Sequence, residues 1–133
     1  MAEHNLVVYV DRSAVREGAM DDLEPAMAEL ADFVEANVPD ILAYNVYFSG
    51  DEEQMTVIHV HDDQSSLERH MEVAGPKFPP IGEFVDMESI DVYGYLDDEL
   101  VRQLRAKASE LGNGRVSVHD VHRGVGRIID ESV

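Results

Sequence analysis

The sequence predicts an α+β fold: an antiparallel four-stranded sheet with two helices on one face, followed by a C-terminal helix and a strand or tail. Three observations lead there. Apolar and aromatic runs with strand character alternate with stripes of helical period, in the order strand, helix, strand, strand, helix, strand. The two middle strands are joined by a short polar connection, Gly50 to Gln54, which suits an antiparallel hairpin. The chain has 133 residues, enough for one core but not two. Residues 1–133 therefore read as a single domain, with a core over 4–95 and an extension over 96–133.

Taken in order, Asn5 to Asp11 (NLVVYVD) is a β-branched and aromatic strand, followed by a turn from Ser13 to Gly18. A helix is expected from Asp21 to Val38. Asp21 and Glu24 have capping-box spacing, Pro25 sits in the tolerated first turn, and Leu23, Met27, Leu30 and Val34 form one stripe. Pro39 ends it. Ile41 to Ser49 and Met55 to His61 are the hairpin strands. Ser65 and Glu68 suggest a second capping box before Leu67, Met71 and Ala74, and the run Gly75 to Pro80 breaks that helix. Phe84 to Tyr95 is the fourth strand. This is the split βαβ order of a ferredoxin-like sandwich. Asp97 to Leu111 then reads as a third helix, acidic at its start and carrying Arg102, Arg105 and Lys107 later, as the helix dipole favours. Gly112 or Gly114 stops it, Arg115 to His122 is a candidate fifth strand, and Asp130 to Val133 are expected to fray.

Composition excludes several classes of function. The formal net charge is −18, with 28 Asp and Glu against 10 Lys and Arg. Nucleic acid and anionic membrane surfaces are therefore poor partners. No apolar run approaches the ~20 residues that span a bilayer. There is no cysteine, so thiol chemistry and disulfides are absent. The N-terminal run lacks the basic residues of a secretory signal, and a cytoplasmic location is expected. No dinucleotide, P-loop, zincin or serine-hydrolase motif is present.

Helices on one side leave the other sheet face bare. The more uniformly apolar set, Leu42, Val46, Phe48, Ile58 and Val60, is expected beneath the helices. The mixed set, Asn45, Tyr47, His59 and His61, is then expected on the bare face, joined by Tyr9 and Tyr93. Such a face suits either a small-molecule pocket or a polar dimer interface.

The order of elements, the hairpin ILAYNVYFSGDEEQMTVIHVH and the following SSLERHMEVAGPKF resemble the antibiotic biosynthesis monooxygenase-like family of the dimeric α/β-barrel superfamily. In that family's second helix a serine opens the helix, a histidine sits mid-helix and a phenylalanine follows in the loop; here these are Ser66 or Ser65, His70 and Phe78. The resemblance covers about residues 4 to 95. It implies two copies of the chain pairing their sheets into a barrel, each with a cavity between sheet and helices. It also implies cofactor-independent oxidation of a small aromatic or phenolic ligand by O₂. The sequence departs from the pattern in having no tryptophan.

His59 and His61 lie on one side of a strand, about 7 Å apart. They are candidates for a general base, for pocket lining, for a structural pair or for metal ligands with a third group such as His70, Glu72, Asp62 or Asp63. The reading adopted is no metal and no cofactor. His59 or His61 is the catalytic base, His70 borders the cavity, and Asn45 and Tyr47 hold an oxyanion. Tyr9, Phe78 and Tyr93 complete the substrate-binding set. The competing reading is a non-enzymatic homodimer that binds a small molecule or acts as a scaffold. His119 and His122 are expected on opposite sides of the tail strand, and His4 is expected to be solvated.

Overall fold

Side chains alternate along a strand, so a strand paired on both sides divides its residues between two faces of a sheet. The computed structural model describes residues 6–125, and its central strand β1 (Val7–Val15) does this. Val7, Tyr9, Asp11 and Ser13 are buried on one face, while Arg12 on the other is exposed. Helix α1 (Met20–Asn37), strands β2 (Ile41–Phe48) and β3 (Gln54–His61), and helix α2 (Gln64–Ala74) follow. Two short 3₁₀ turns, Gly75–Lys77 and Pro79–Glu83, lead to β4 (Val85–Tyr93), helix α3 (Asp98–Leu111) and β5 (Gly112–His119). The sheet order is β2-β3-β1-β4-β5. The first four strands pair antiparallel in the ferredoxin-like order, and β5 lies parallel to β4 across the α3 crossover.

The core lies between the sheet and the helices. Helix α1 contributes Leu23, Met27, Leu30 and Val34, the stripe its spacing predicts. Helix α3 contributes Leu100, Leu104, Ala108 and Leu111, with Lys107 buried among them. The extension therefore lengthens both the sheet and its helical layer.

Several expectations are corrected. Strand β1 does not turn at Ser13; pairing with both Met55 and Met87 carries it to Val15, and the chain turns at Gly18 with φ +78°. Neither expected capping box forms. Ala19 makes no side-chain cap on α1, and on α2 the Asp63 carboxylate accepts from Ser65 N and Ser66 N. Strand β5 begins at Gly112 rather than Arg115. Lys107 points into the protein instead of serving the end of α3. The expected fraying of Asp130 to Val133 and the solvation of His4 lie outside the described residues.

The largest correction concerns the hairpin faces. Its register pairs Tyr44 with His59, Val46 with Val57 and Phe48 with Met55. Directly opposed residues share a face, so His59 and His61 turn inward beneath the helices with the apolar side of β2. Ile58 and Val60 fall opposite Asn45 and Ala43 and face outward. A register shift between Ile41 and Ala43 leaves Leu42 exposed.

Gly112 seats β5 by close approach: a Cβ there would collide with the backbone N and O of Met87. Gly112→Ala is expected to lower stability by about 1–3 kcal/mol in urea unfolding and to speed amide exchange along β5. Wild-type values for both would show that β5 does not need this contact.

Candidate functional site

The inward register gathers polar groups from five elements. Across the sheet, Tyr44, His59 and Tyr9 form one row on β2, β3 and β1. The Tyr9 and His59 rings stack at 3.9 Å, and Tyr44 lies 5.4 Å from His59. His70 reaches down from α2, its ring 4.5 Å from that of His59 and 5.9 Å from Phe78, which lies between the 3₁₀ turns. Helix α3 supplies Lys107, whose ammonium sits 4.0 Å over the Phe78 ring.

Two hydrogen-bonded chains run through this interior. In the first, Lys107 Nζ donates to Tyr9 Oη at 2.6 Å, and Tyr9 Oη donates to Asp11 Oδ2 at 2.6 Å. Lys107 and Asp11 are themselves 3.7 Å apart. Burial pushes the Asp11 carboxyl up, and the Lys107 charge pulls it back. Burial lowers Lys107, and Asp11 opposes this. Tyr9 is raised by burial and by the Asp11 charge, so it stays a neutral phenol. In the second chain, His59 Nδ1 lies 2.6 Å from His61 Nε2, and His61 Nδ1 lies 2.7 Å from Ser66 Oγ.

All three histidines are fully buried. Burial holds His59 far below its usual range, helped by His70, His61 and Lys107. His61 falls to about 4 by burial, against the pull of Asp40 and Asp63. His70 falls to about 2, again chiefly by burial, with Lys107 and His61 adding to it. They are therefore neutral imidazoles at pH 7. Among the described residues, His59 Nε2 and both ring nitrogens of His70 are buried with no hydrogen-bond partner, as are Asp11 Oδ1 and Ser13 Oγ. Buried polar atoms are rarely left unpaired in the absence of a functional reason. Asp11, Ser13, Tyr44, Phe78 and Lys107, with apolar neighbours, line an internal cavity of about 20 Å³. That is about the room one water needs.

Among the described residues, no three His, Asp or Glu side chains are arranged to hold a metal ion. The facing nitrogens of His59 and His61 are too close for an ion with bonds of about 2 Å to sit between them. No helix among the described residues is long and apolar enough to cross a membrane.

Of the residues singled out from sequence, Tyr9, His59, His61, His70 and Phe78 meet in this interior. Asn45, Tyr47 and Tyr93 lie on the outward face, so they do not share it within one copy of the chain. Sequence reasoning missed Asp11, Ser13, Tyr44 and Lys107 as members of the site, and it named Ser66 only as one of two serines that could open α2. Two of these left a signal. Asp11 is two residues from Tyr9 on a strand. Lys107 occupies an apolar position in the stripe Leu100, Leu104, Lys107, Leu111.

No protein-family model matches the chain, nor does any curated protein. Solved structures do. MupZ from Pseudomonas fluorescens matches with TM-score 0.71 and 16% identity over 97% of this chain and 98% of its own. SnoaB, a cofactor-independent oxygenase from Streptomyces nogalater, matches with TM-score 0.59 and 20% identity over 70% of this chain and 95% of its own. A candidate antibiotic biosynthesis monooxygenase from Caulobacter crescentus CB15 matches with TM-score 0.62 and 18% identity over 71% and 92%. These likenesses show the fold, the α+β ferredoxin-like arrangement that the chain shares with these structures. The match to MupZ covers the α3–β5 extension as well, whereas the other two match about the length of chain that ends with β4.

Two predictions follow from the buried charges. Lys107→Met leaves Asp11 buried without its cation and is expected to cost about 3–5 kcal/mol. Adding Asp11→Asn is expected to recover most of that loss, as read by a urea double-mutant cycle; strict additivity would show that the two groups do not interact. The histidines bear on acid stability. A histidine with a lowered folded pKa binds more protons when unfolded, so stability is full above about 6.5 and declines as pH falls toward 4 for His61 and toward 2 for His70. His70→Leu is expected to make the urea midpoint fall less steeply between pH 6.5 and 4. It also removes two unpaired polar atoms, and so is expected to add about 1–2 kcal/mol at pH 7. An unchanged slope would mean that His70 is not held neutral by burial.

Proposed function

We propose that this chain is a homodimeric, cofactor-independent oxygenase-like enzyme acting on a small aromatic or phenolic substrate. One observation carries the reading. His59 Nε2 and both nitrogens of His70 are buried without a protein partner, beside a buried ammonium that hydrogen-bonds a tyrosine. His59 Nε2 keeps a lone pair for a substrate proton, and the Lys107 charge, which lowers the basicity of His59, stabilises the oxyanion that the proton leaves behind. His59 takes the proton, Lys107 and Tyr9 offset the charge on oxygen, and His70 hydrogen-bonds the substrate. The electron-rich anion forms a C–O bond with O₂. Loss of the second hydrogen from that carbon as the O–O bond breaks converts CH₂ to C=O and releases water. The fold match to SnoaB, itself a cofactor-independent oxygenase, supports this chemistry.

The cavity of about 20 Å³ has room for about one water, so a ring enters only if the interior opens. The outward face carries Val8, Val10, Ile58 and Val60, flanked by Tyr47 and Tyr93. In this reading it packs on the same face of a second copy, placing Asn45, Tyr47 and Tyr93 at the barrel seam. The small cavity volume favours one other reading, a homodimeric binding or scaffold module without turnover.

Oxygen uptake with a dihydroxyanthrone, without added metal or flavin, separates the two. The enzyme reading expects uptake with one water formed per O₂, a loss of about 10²-fold or more in His59→Phe, and a dimer by sedimentation. Binding of the anthrone without uptake would leave the module reading, and a monomer would remove the barrel from both.

A further inference from the structure

We infer that Ser66 and His61 are positioning residues that hold His59 in one tautomer, with Nδ1 protonated and Nε2 a bare lone pair. The inference rests on the reading of His59 as the base and assigns roles to two residues that do not touch substrate. Ser66 Oγ lies 3.5 Å from the backbone carbonyl of Asp40, which can only accept. The hydroxyl hydrogen of Ser66 therefore turns toward that carbonyl, and its oxygen accepts from His61 Nδ1 at 2.7 Å. His61 is neutral, so a proton on Nδ1 leaves Nε2 as an acceptor. The group facing it at 2.6 Å is His59 Nδ1, which must then carry hydrogen. His59 is also neutral, and its remaining nitrogen, Nε2, has no proton and no protein partner.

The reverse orientation gives up the Ser66 contact to the Asp40 carbonyl and puts a hydrogen on His59 Nε2, which has no acceptor among the described residues. Ser66 is itself held in place. Its backbone N–H donates to the Asp63 carboxylate that caps α2, and the residue is buried. When His59 Nε2 takes a proton, the Nδ1–H to His61 bond becomes charge-assisted and strengthens. The relay thus favours the protonated base more than the resting one.

The test is two-bond nitrogen–proton correlation NMR on the full chain labelled with ¹⁵N-histidine, at pH 7 and without substrate. The expected wild-type spectrum shows His59 and His61 both protonated at Nδ1, with Nε2 of each unprotonated. Ser66→Ala is expected to shift the His59 tautomer ratio toward Nε2–H by about fivefold, the weight of one ordinary net hydrogen bond, and Ser66→Thr is expected to restore it. A proton on His59 Nε2 in the wild type would overturn the inference, a result that needs no variant to fold. An unshifted ratio in Ser66→Ala would overturn it as well. A correct tautomer without oxygen uptake would sink the oxygenase reading alone, and uptake with the opposite tautomer would sink the relay alone.

Discussion

The bridge from Lys107 through Tyr9 to Asp11 is the interaction on which the rest of the molecule turns. An isolated buried carboxylate or ammonium loses several kcal/mol of hydration. Asp11 and Lys107 are both nearly sealed from solvent, and each is tolerable only because the other is there. The bridge also joins two parts of the chain that are far apart in sequence. Asp11 belongs to the central strand, and Lys107 belongs to the helix of the extension. Helix α3 is thereby tied to the sheet by charge as well as by Leu100, Leu104, Ala108 and Leu111.

This arrangement shapes the histidine cluster beside it. A fixed cation among low-dielectric walls makes a second positive charge unfavourable, so His59 and His70 stay neutral. Neutral imidazoles with unpaired nitrogens are poor for stability and useful for chemistry. The apolar alternatives that would pack the same volume carry no such unpaired atoms. The interior therefore holds stability below what its size allows.

The sheet separates two tasks. Its inner face carries Tyr9, Asp11, His59, His61 and Tyr44, and its outer face carries Val8, Val10, Ile58 and Val60 between exposed tyrosines. The inner polar groups are set among Val7, Met55, Val57, Met87 and Val92 of the core, while the outer face mixes those apolar residues with Arg12, Asn45 and Asp91.

The sequence by itself determined the elements, their order and the helical stripes. Each of these is a local property: strand runs, 3.6-residue spacing and breakers such as Pro39 act over a few residues. Most of the site's members were legible too, since Tyr9, His59, His61, His70 and Phe78 stand out by type. Which way the histidines point was not, because alternation leaves two faces and only the pairing of Tyr44 with His59 chooses between them. One residue of slip would have turned the whole set outward. Lys107 was misplaced for a related reason. A lysine near a helix end is ordinary on a surface, and it becomes a core residue only when a strand whose Tyr9 lies 98 residues earlier presents Asp11 and Tyr9 to receive it. Periodicity is written along the chain, whereas partners across the sheet and between layers exist only once the chain has folded.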